Sequence, residues 1–292
     1  MTDKCLTAKG ICKNYKDHKV LKNLDITLEP GKIYGLVGRN GTGKTTLLSI
    51  LSAQVKATKG QVFLGDTPVW ENQAALDHIC FSREFGGGNA SIQGLKVKEY
   101  LRIASTYLPA WDEEYAKRLI GQFGLDEKKR ISQLSKGMTS MLTIVVALAC
   151  RADYTFLDEP VAGLDVVVRE QFYRLLLEEY TESGRTFVVS THIIEEAADV
   201  FEEVMILRDG RIMVKENTQQ LLERCFHVAG REDEVMKCTQ GIHTVHRERF
   251  GRGIAVTAVL EPGQSLAPDC DVDIAPVNLQ KLFLALCGEE EA

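Results

Sequence analysis

The sequence predicts an α/β protein, a mostly parallel sheet covered by helices on both faces, followed by a small α+β unit. The apolar run Lys32–Val37 stops at Gly38, and beyond a glycine-rich loop the pattern Leu47, Leu48, Ile50, Leu51 switches to helical spacing. Later apolar runs show little polar alternation and are separated by helical stretches, as strands buried on both faces require. Near Asn217 the composition shifts, and short strands and helices alternate from there on. A chain of 292 residues accommodates one large domain or two unequal ones. The expected division is 1–216 and 217–292.

In chain order, Leu21–Leu28 and Lys32–Val37 read as strands, and the helix after Thr46 completes the opening of an α/β unit. Val62–Leu64 repeats the strand signal. Val97–Leu108 and Glu113–Phe123 carry helical periodicity. Tyr154–Leu157, Phe187–Val189 and Val204–Leu207 are compact apolar strands, with helices expected at Arg169–Glu182 and Glu195–Phe201 between them. Asp209-Gly210-Arg211-Ile212, flanked by apolar residues, predicts a hairpin turn. In the last unit Phe226–Ala229, Ile242–Arg247, Ile254–Leu260 and Val272–Val277 read as strands. Glu232–Thr239 and Asn278–Leu286 read as helices, with Glu232, Asp233 and Glu234 favourable to the first helix's dipole, and the chain closes on a solvated acidic run, Glu289-Glu290-Glu291.

A formal net charge of −6 argues against a nucleic-acid partner, because neutralising phosphates takes a basic face. The 8 cysteines are scattered with no C-x-x-C pair, which points to free thiols in a reducing cytosol and away from zinc or a disulfide framework. Met1-Thr2-Asp3-Lys4-Cys5-Leu6 lacks the layout of a signal peptide. The most apolar stretch, Met141–Cys150, is far short of the ~20 residues that a bilayer crossing needs. The expectation is a cytosolic chain with no membrane span of its own.

Gly38-Arg39-Asn40-Gly41-Thr42-Gly43-Lys44-Thr45 fits G-x-x-x-x-G-K-[ST], and Thr46 follows it. The glycines let successive backbone N–H groups turn inward around an anion, and the helix that starts there adds its positive dipole end. Lys44 then bridges the β- and γ-phosphates of a nucleoside triphosphate, and the Thr45 hydroxyl ligates Mg²⁺. Tyr154-Thr155-Phe156-Leu157-Asp158-Glu159 is an apolar strand ending in two carboxylates. Asp158 would face the Mg²⁺ shell and Glu159 would orient and deprotonate an attacking water.

Three further segments carry a resemblance. Leu134-Ser135-Lys136-Gly137-Met138 precedes the carboxylate strand, Val161-Ala162-Gly163-Leu164-Asp165 follows it, and Ser190-Thr191-His192 ends the next strand. With the phosphate loop and the carboxylate strand, they make the chain resemble the ATP-binding cassette (ABC) transporter ATPases over about residues 4–215. The resemblance implies a P-loop NTPase fold with a RecA-like core, a helical subdomain at about 86–150 and a small α+β C-terminal domain. It also implies ATP and Mg²⁺ as cofactors and a head-to-tail dimer, homomeric or heteromeric, in which Ser135 and Gly137 of one subunit close over the γ-phosphate held by the other. His192 would sense that phosphate, Asp165 would link the two sites, and Tyr15 would stack on adenine.

Two features depart from the family's pattern. Lys136 and Met138 replace a glycine and a glutamine of the usual signature, and Ile79-Cys80-Phe81-Ser82-Arg83-Glu84 places Glu84 at the family's glutamine, where a carboxylate can also ligate Mg²⁺. Gly86-Gly87-Gly88 then marks either a mobile loop that carries motion or a plain connector. Glu84, Leu95–Leu101 and Tyr107–Tyr115 resemble a Gram-positive export subgroup, the ATPases of acetoin-utilisation and antibiotic-responsive operons. The implied function is the ATP-hydrolysing subunit of an exporter, peripheral on the inner face of the cell membrane and driving a separate transmembrane permease. A regulatory cassette with weak turnover is the alternative. A soluble cassette ATPase of DNA repair or ribosomes is disfavoured, because those carry a long coiled coil or two tandem cassettes.

Overall fold

The computed structural model describes residues 4–83, 90–267 and 269–287. Glu84, Gly86-Gly87-Gly88 and Glu289-Glu290-Glu291 lie outside the described residues. The chain opens with β1 (Leu6–Tyr15) and β2 (His18–Leu28), an antiparallel pair, and continues through β3 (Ile33–Val37) and α1 (Lys44–Leu51). Then come β4 (Lys59–Leu64), β5 (Thr67–Pro68), α2 (Gln73–Leu76), β6 (Ile79–Arg83), α3 (Ala90–Gln93), α4 (Val97–Tyr107), α5 (Glu113–Gln122) and α6 (Lys136–Ala149). β7 (Tyr154–Asp158), α7 (Val166–Ser183), β8 (Thr186–Thr191), β9 (Glu203–Arg208) and β10 (Arg211–Asn217) follow. The last part holds α8 (Thr218–Glu223), β11 (Cys225–Arg231), α9 (Glu232–Cys238), β12 (His243–Phe250), β13 (Gly253–Val259), β14 (Val272–Pro276) and α10 (Leu279–Cys287).

The central sheet runs β10-β9-β3-β8-β7-β6, parallel except for the β9–β10 hairpin. Its strands alternate cleanly between two cores. Tyr34, Leu36, Tyr154, Phe156, Val188, Met205 and Leu207 face the core shared with β1, β2 and α1. Ile33, Val37, Leu157, Phe187, Val189, Val204 and Ile206 face the core shared with α5, α6 and α7. That two-sided burial removes the polar alternation and explains why the strands read as continuous apolar runs. Gly35 is on the second face, where a Cβ would sit 2.1 Å from the Phe201 ring.

The structure differs from the sequence-based expectation in three places. Leu21–Leu28 and Val62–Leu64 do not join the parallel sheet; they form, with β1 and β5, a separate antiparallel sheet ordered β2-β1-β4-β5. β1 itself has no legible period, because register shifts after Ala8, Ile11 and Lys13 break the alternation. Glu195–Phe201 is a series of tight turns instead of a helix. Ile194, Ala197, Val200 and Phe201 are all buried there, and so short a segment gains little from helix propagation.

The expected hairpin at Asp209-Gly210 is present, with both residues at positive φ (50° and 76°) as a tight turn between twisted strands demands. A Cβ at Gly210 would lie 2.3 Å from the Val20 carbonyl oxygen, so the turn packs directly on β2. The third sheet, β12-β13-β11-β14, is antiparallel throughout and has its own apolar cluster under α9, built from Val228, Val235, Cys238, Ile254, Val256 and Ala258. α10 leaves that cluster and inserts Leu279, Leu282 and Phe283 into the larger core of the preceding part. No helix of the described residues is long and apolar enough to cross a membrane.

Candidate active site

Three neighbouring parallel strands end on the same edge of the central sheet. β3 leads into the glycine-rich loop, β7 ends at Asp158 and β8 ends at Thr191, with β8 seated between the other two. Loops at strand carboxyl ends are where open α/β sheets bind ligands, because the strands diverge there and helix N-termini point inward.

The loop from Gly38 to Thr45 is fixed by close backbone approach. A Cβ at Gly38 would stand 2.7 Å from the Leu207 carbonyl oxygen and 2.8 Å from Thr42 Oγ1. Gly41 and Gly43 adopt φ of 81° and 109°, and Gly43 is the residue from which α1 starts. The Thr42 hydroxyl closes the loop on the Arg39 carbonyl at 2.8 Å. Lys44 is buried, 6% exposed, and its ammonium donates to the Gly38 carbonyl at 2.7 Å while standing 3.3 Å from Glu159 Oε1. Arg39, Asn40 and Thr45 complete the loop, and Thr46 is the third residue of α1.

Asp158 is the hub of the metal-type ligands. The Thr45 hydroxyl donates to its Oδ2 at 2.7 Å, and the Ser190 hydroxyl donates to its Oδ1 at 2.6 Å. A hydroxyl and a carboxylate oxygen in contact beside a phosphate-binding loop are hard oxygen donors of the kind Mg²⁺ prefers. Glu159 has φ of 50°, unusual for a residue with a Cβ, and is held there by its N–H donating to Ser190 Oγ at 3.0 Å. Its second carboxylate oxygen lies 2.7 Å from His192 Nδ1, and the imidazole is half exposed. Sequence reasoning quoted Ser190 only as the neighbour of His192 and missed this double role. A serine directly before the Thr191-His192 pair, on the strand next to the carboxylate strand, was the available signal.

The remaining sequence-based residues form a second group. Ser135 caps α6, its Oγ accepting from the Met138 N–H at 3.2 Å, and Asp165 caps α7, its Oδ1 accepting from the Val168 N–H at 3.0 Å. Gly137 packs on the neighbouring loop, where a Cβ would come within 3.3 Å of the Gly163 carbonyl oxygen. Tyr15 ends β1, 48% exposed, with the Lys13 ammonium 4.9 Å from its ring centre. The hairpin it belongs to meets the glycine-rich loop through Val20 and Leu21, which border Gly43.

This loop, strand pair and carboxylate arrangement define a nucleoside triphosphatase of the P-loop class. A family model described as ABC transporter matches residues 21–162. The chain is 30% identical over 226 residues to the lipoprotein-releasing system ATP-binding protein LolD of Idiomarina loihiensis, covering 72% of this chain and 97% of that protein. It belongs to the ATP-binding subunits of ABC transporters, which hydrolyse ATP to drive transport and work with a transmembrane permease component.

Two further relatives match nearly end to end. The ABC transporter ATP-binding protein YtrB of Bacillus subtilis is 24% identical over 96% of this chain and 97% of its own. A Nod factor export ATP-binding protein I of Cupriavidus metallidurans is 28% identical over 98% of both. Relatives named for import also occur, among them a petrobactin import protein of Bacillus subtilis. Among solved structures, the dimeric cassette MJ0796 bound to ADP and phosphate has a TM-score of 0.64 at 26% identity and covers 73% of this chain and 98% of that one.

Proposed function

We propose that this ATPase subunit serves an exporter of the Gram-positive subgroup, a reading in keeping with the near full-length match to YtrB of Bacillus subtilis. The export reading is supported by the Nod factor export protein, which is 28% identical over 98% of the chain. In this reading residues 1–216 are the nucleotide-binding unit and 217–292 an accessory unit, in keeping with the separate third sheet and its own apolar cluster. The subunit sits on the inner face of the membrane through its permease and dimerises head to tail.

The convergence of Lys44, Thr45, Asp158, Glu159, Ser190 and His192 at one sheet edge carries the chemical reading. Backbone N–H groups of Gly41, Thr42, Gly43 and Lys44 and the α1 N-terminus bind the phosphates, with Lys44 as the point charge. Thr45 and Asp158 would hold Mg²⁺, whose charge offsets that of the β- and γ-phosphates when bound. Lys44 lies 3.3 Å from Glu159, so the phosphate that the lysine holds comes within reach of the base. Glu159 takes the proton of the attacking water, and His192, anchored to the same carboxylate, fixes the γ-phosphate's orientation. Ser135 and Gly137 act on the nucleotide held by the partner subunit, Asp165 links the two sites across the interface, and Tyr15 stacks on adenine.

Glu159→Gln keeps the shape and removes the base. Phosphate release is expected to fall at least about 10²-fold, with ATP-bound dimer accumulating in size-exclusion chromatography. Unchanged turnover would remove Glu159 from the role, and turnover that responds to no permease candidate would favour the regulatory reading.

A further inference from the structure

Arg169 lies on α7 one turn beyond Asp165 and reaches back toward two loops. Its Nε donates to the Leu164 carbonyl at 2.9 Å, and its Nη1 donates to Glu196 Oε1 at 3.1 Å. Leu164 belongs to the Val161–Asp165 loop, and Glu196 to the turns that follow His192. From the other side the same loop is held by Ser140 of α6, whose hydroxyl donates to the Ala162 carbonyl at 3.1 Å. One guanidinium thus ties the loop to the His192 segment, and one hydroxyl ties it to the helix that begins at Ser135.

The other oxygen of Glu196, Oε2, is buried with no hydrogen-bond partner among the described residues, so the carboxylate's polar hold on the protein runs through Arg169. Burying half-satisfied polar groups costs stability, and an apolar residue at 169 would cover α7 without that cost. The arrangement is better explained by mechanics than by stability. A planar guanidinium can hold a carbonyl and a carboxylate at a fixed angle, which a lysine ammonium does not impose.

We propose that Arg169 is a positioning residue for ATP hydrolysis, making the Val161–Asp165 loop and the His192 segment move as one body. The proposal rests on the reading above, in which Asp165 faces the partner subunit and His192 the γ-phosphate. Pressure from the partner on Asp165 is then delivered to His192 of the same subunit, so that the site is complete only when the dimer is closed.

The test is a double-mutant cycle of Arg169→Met and Glu196→Gln, with Arg169→Lys as the conservative variant, read by phosphate release, fluorescent-ATP affinity and thermal melting. Arg169→Met is expected to lower kcat about tenfold with KM within about twofold, since a misplaced group costs turnover more than binding. Glu196→Gln should lower kcat in the same way, and the double variant should be no worse than the poorer single one. Arg169→Lys should recover turnover only in part. Wild-type kcat in Arg169→Met, losses that multiply in the double variant, or full activity in Arg169→Lys would overturn the proposal. If Arg169→Met does not fold, Glu196→Gln and Arg169→Lys decide it by the same kcat criterion. Turnover that survives Glu159→Gln instead brings down the underlying site reading and this proposal with it, whereas an inactive Glu159→Gln beside a fully active Arg169→Met overturns the proposal alone.

Discussion

Lys44 shows how much one side chain in the phosphate loop has to satisfy. It is nearly buried, donates to the Gly38 carbonyl and faces Glu159, so its positive charge is shared among the loop, the base and any phosphate that enters. Replacing it with methionine keeps the aliphatic stem and deletes the charge. Lys44→Met is expected to weaken ATP binding by about tenfold or more, equivalent to ~1.4 kcal/mol, in a fluorescent-nucleotide titration. The gathering of Lys44, Thr45, Asp158 and Glu159 at one place was legible because phosphate chemistry demands those residue types at fixed spacing. Ser190, Arg169 and Ser140 were not legible. Each reaches to another segment, Ser190 to Asp158, Arg169 to Glu196 and Ser140 to Ala162, and apart from the place of Ser190 beside Thr191-His192 no local pattern marks these pairings.

At the scale of elements, a buried ionic knot joins α5, the end of α6 and α7. Glu179 forms an ion pair with Arg185 at 3.0 Å and accepts a hydrogen bond from Arg151, and Arg151 in turn donates to Asp112 Oδ2 at 2.9 Å. Glu179 and Arg185 are 1% and 2% exposed, so deleting the carboxylate strands a buried guanidinium. Glu179→Ala is expected to cost about 3–5 kcal/mol in urea unfolding.

Asp112 adds a pH dependence to the same knot. The Tyr115 N–H, which Asp112 caps at the start of α5, and then the Arg151 guanidinium hold its carboxyl below the usual range against the opposing effect of burial. Its stabilising contribution is therefore complete above the ordinary carboxylate value and is lost as pH falls through the lowered one. Urea midpoints of the wild type should drop on acidification below about pH 4 more steeply than those of Asp112→Asn. The helices of this knot were legible from their periodicity. β1 was not, because its bulges erase the alternation by which a strand is recognised.

For the whole molecule, the parallel sheet decides both what binds and what that binding does to stability. The residues proposed to hold phosphate and metal, among them Lys44, Thr45 and Asp158, come together only in the folded sheet, so ATP should bind the native state alone. At a nucleotide concentration 100 times Kd the gain is about 2.7 kcal/mol, or several degrees in Tm. Differential scanning fluorimetry of Glu159→Gln with and without MgATP checks this, and the shift should vanish when Lys44→Met is added. The overall architecture was readable because apolar runs separated by helices admit few topologies. The union of the last part with the first was not, since α10 contributes Leu279, Leu282 and Phe283 to a core whose other walls lie far upstream.

The pairing of Ile33 with Phe187 places β3 beside a strand made much later in the chain. During synthesis at roughly 5–20 residues per second, the glycine-rich loop leaves the ribosome on the order of 10 s before β8 can supply Ser190 and His192. Through that interval β3 has neither β8 nor β9 beside it, and the nascent loop has only its own backbone to shape it. The nucleotide site is therefore a late product of biogenesis, and a ribosome stalled before β8 would expose an apolar strand edge that chaperones, and no nucleotide, would have to cover.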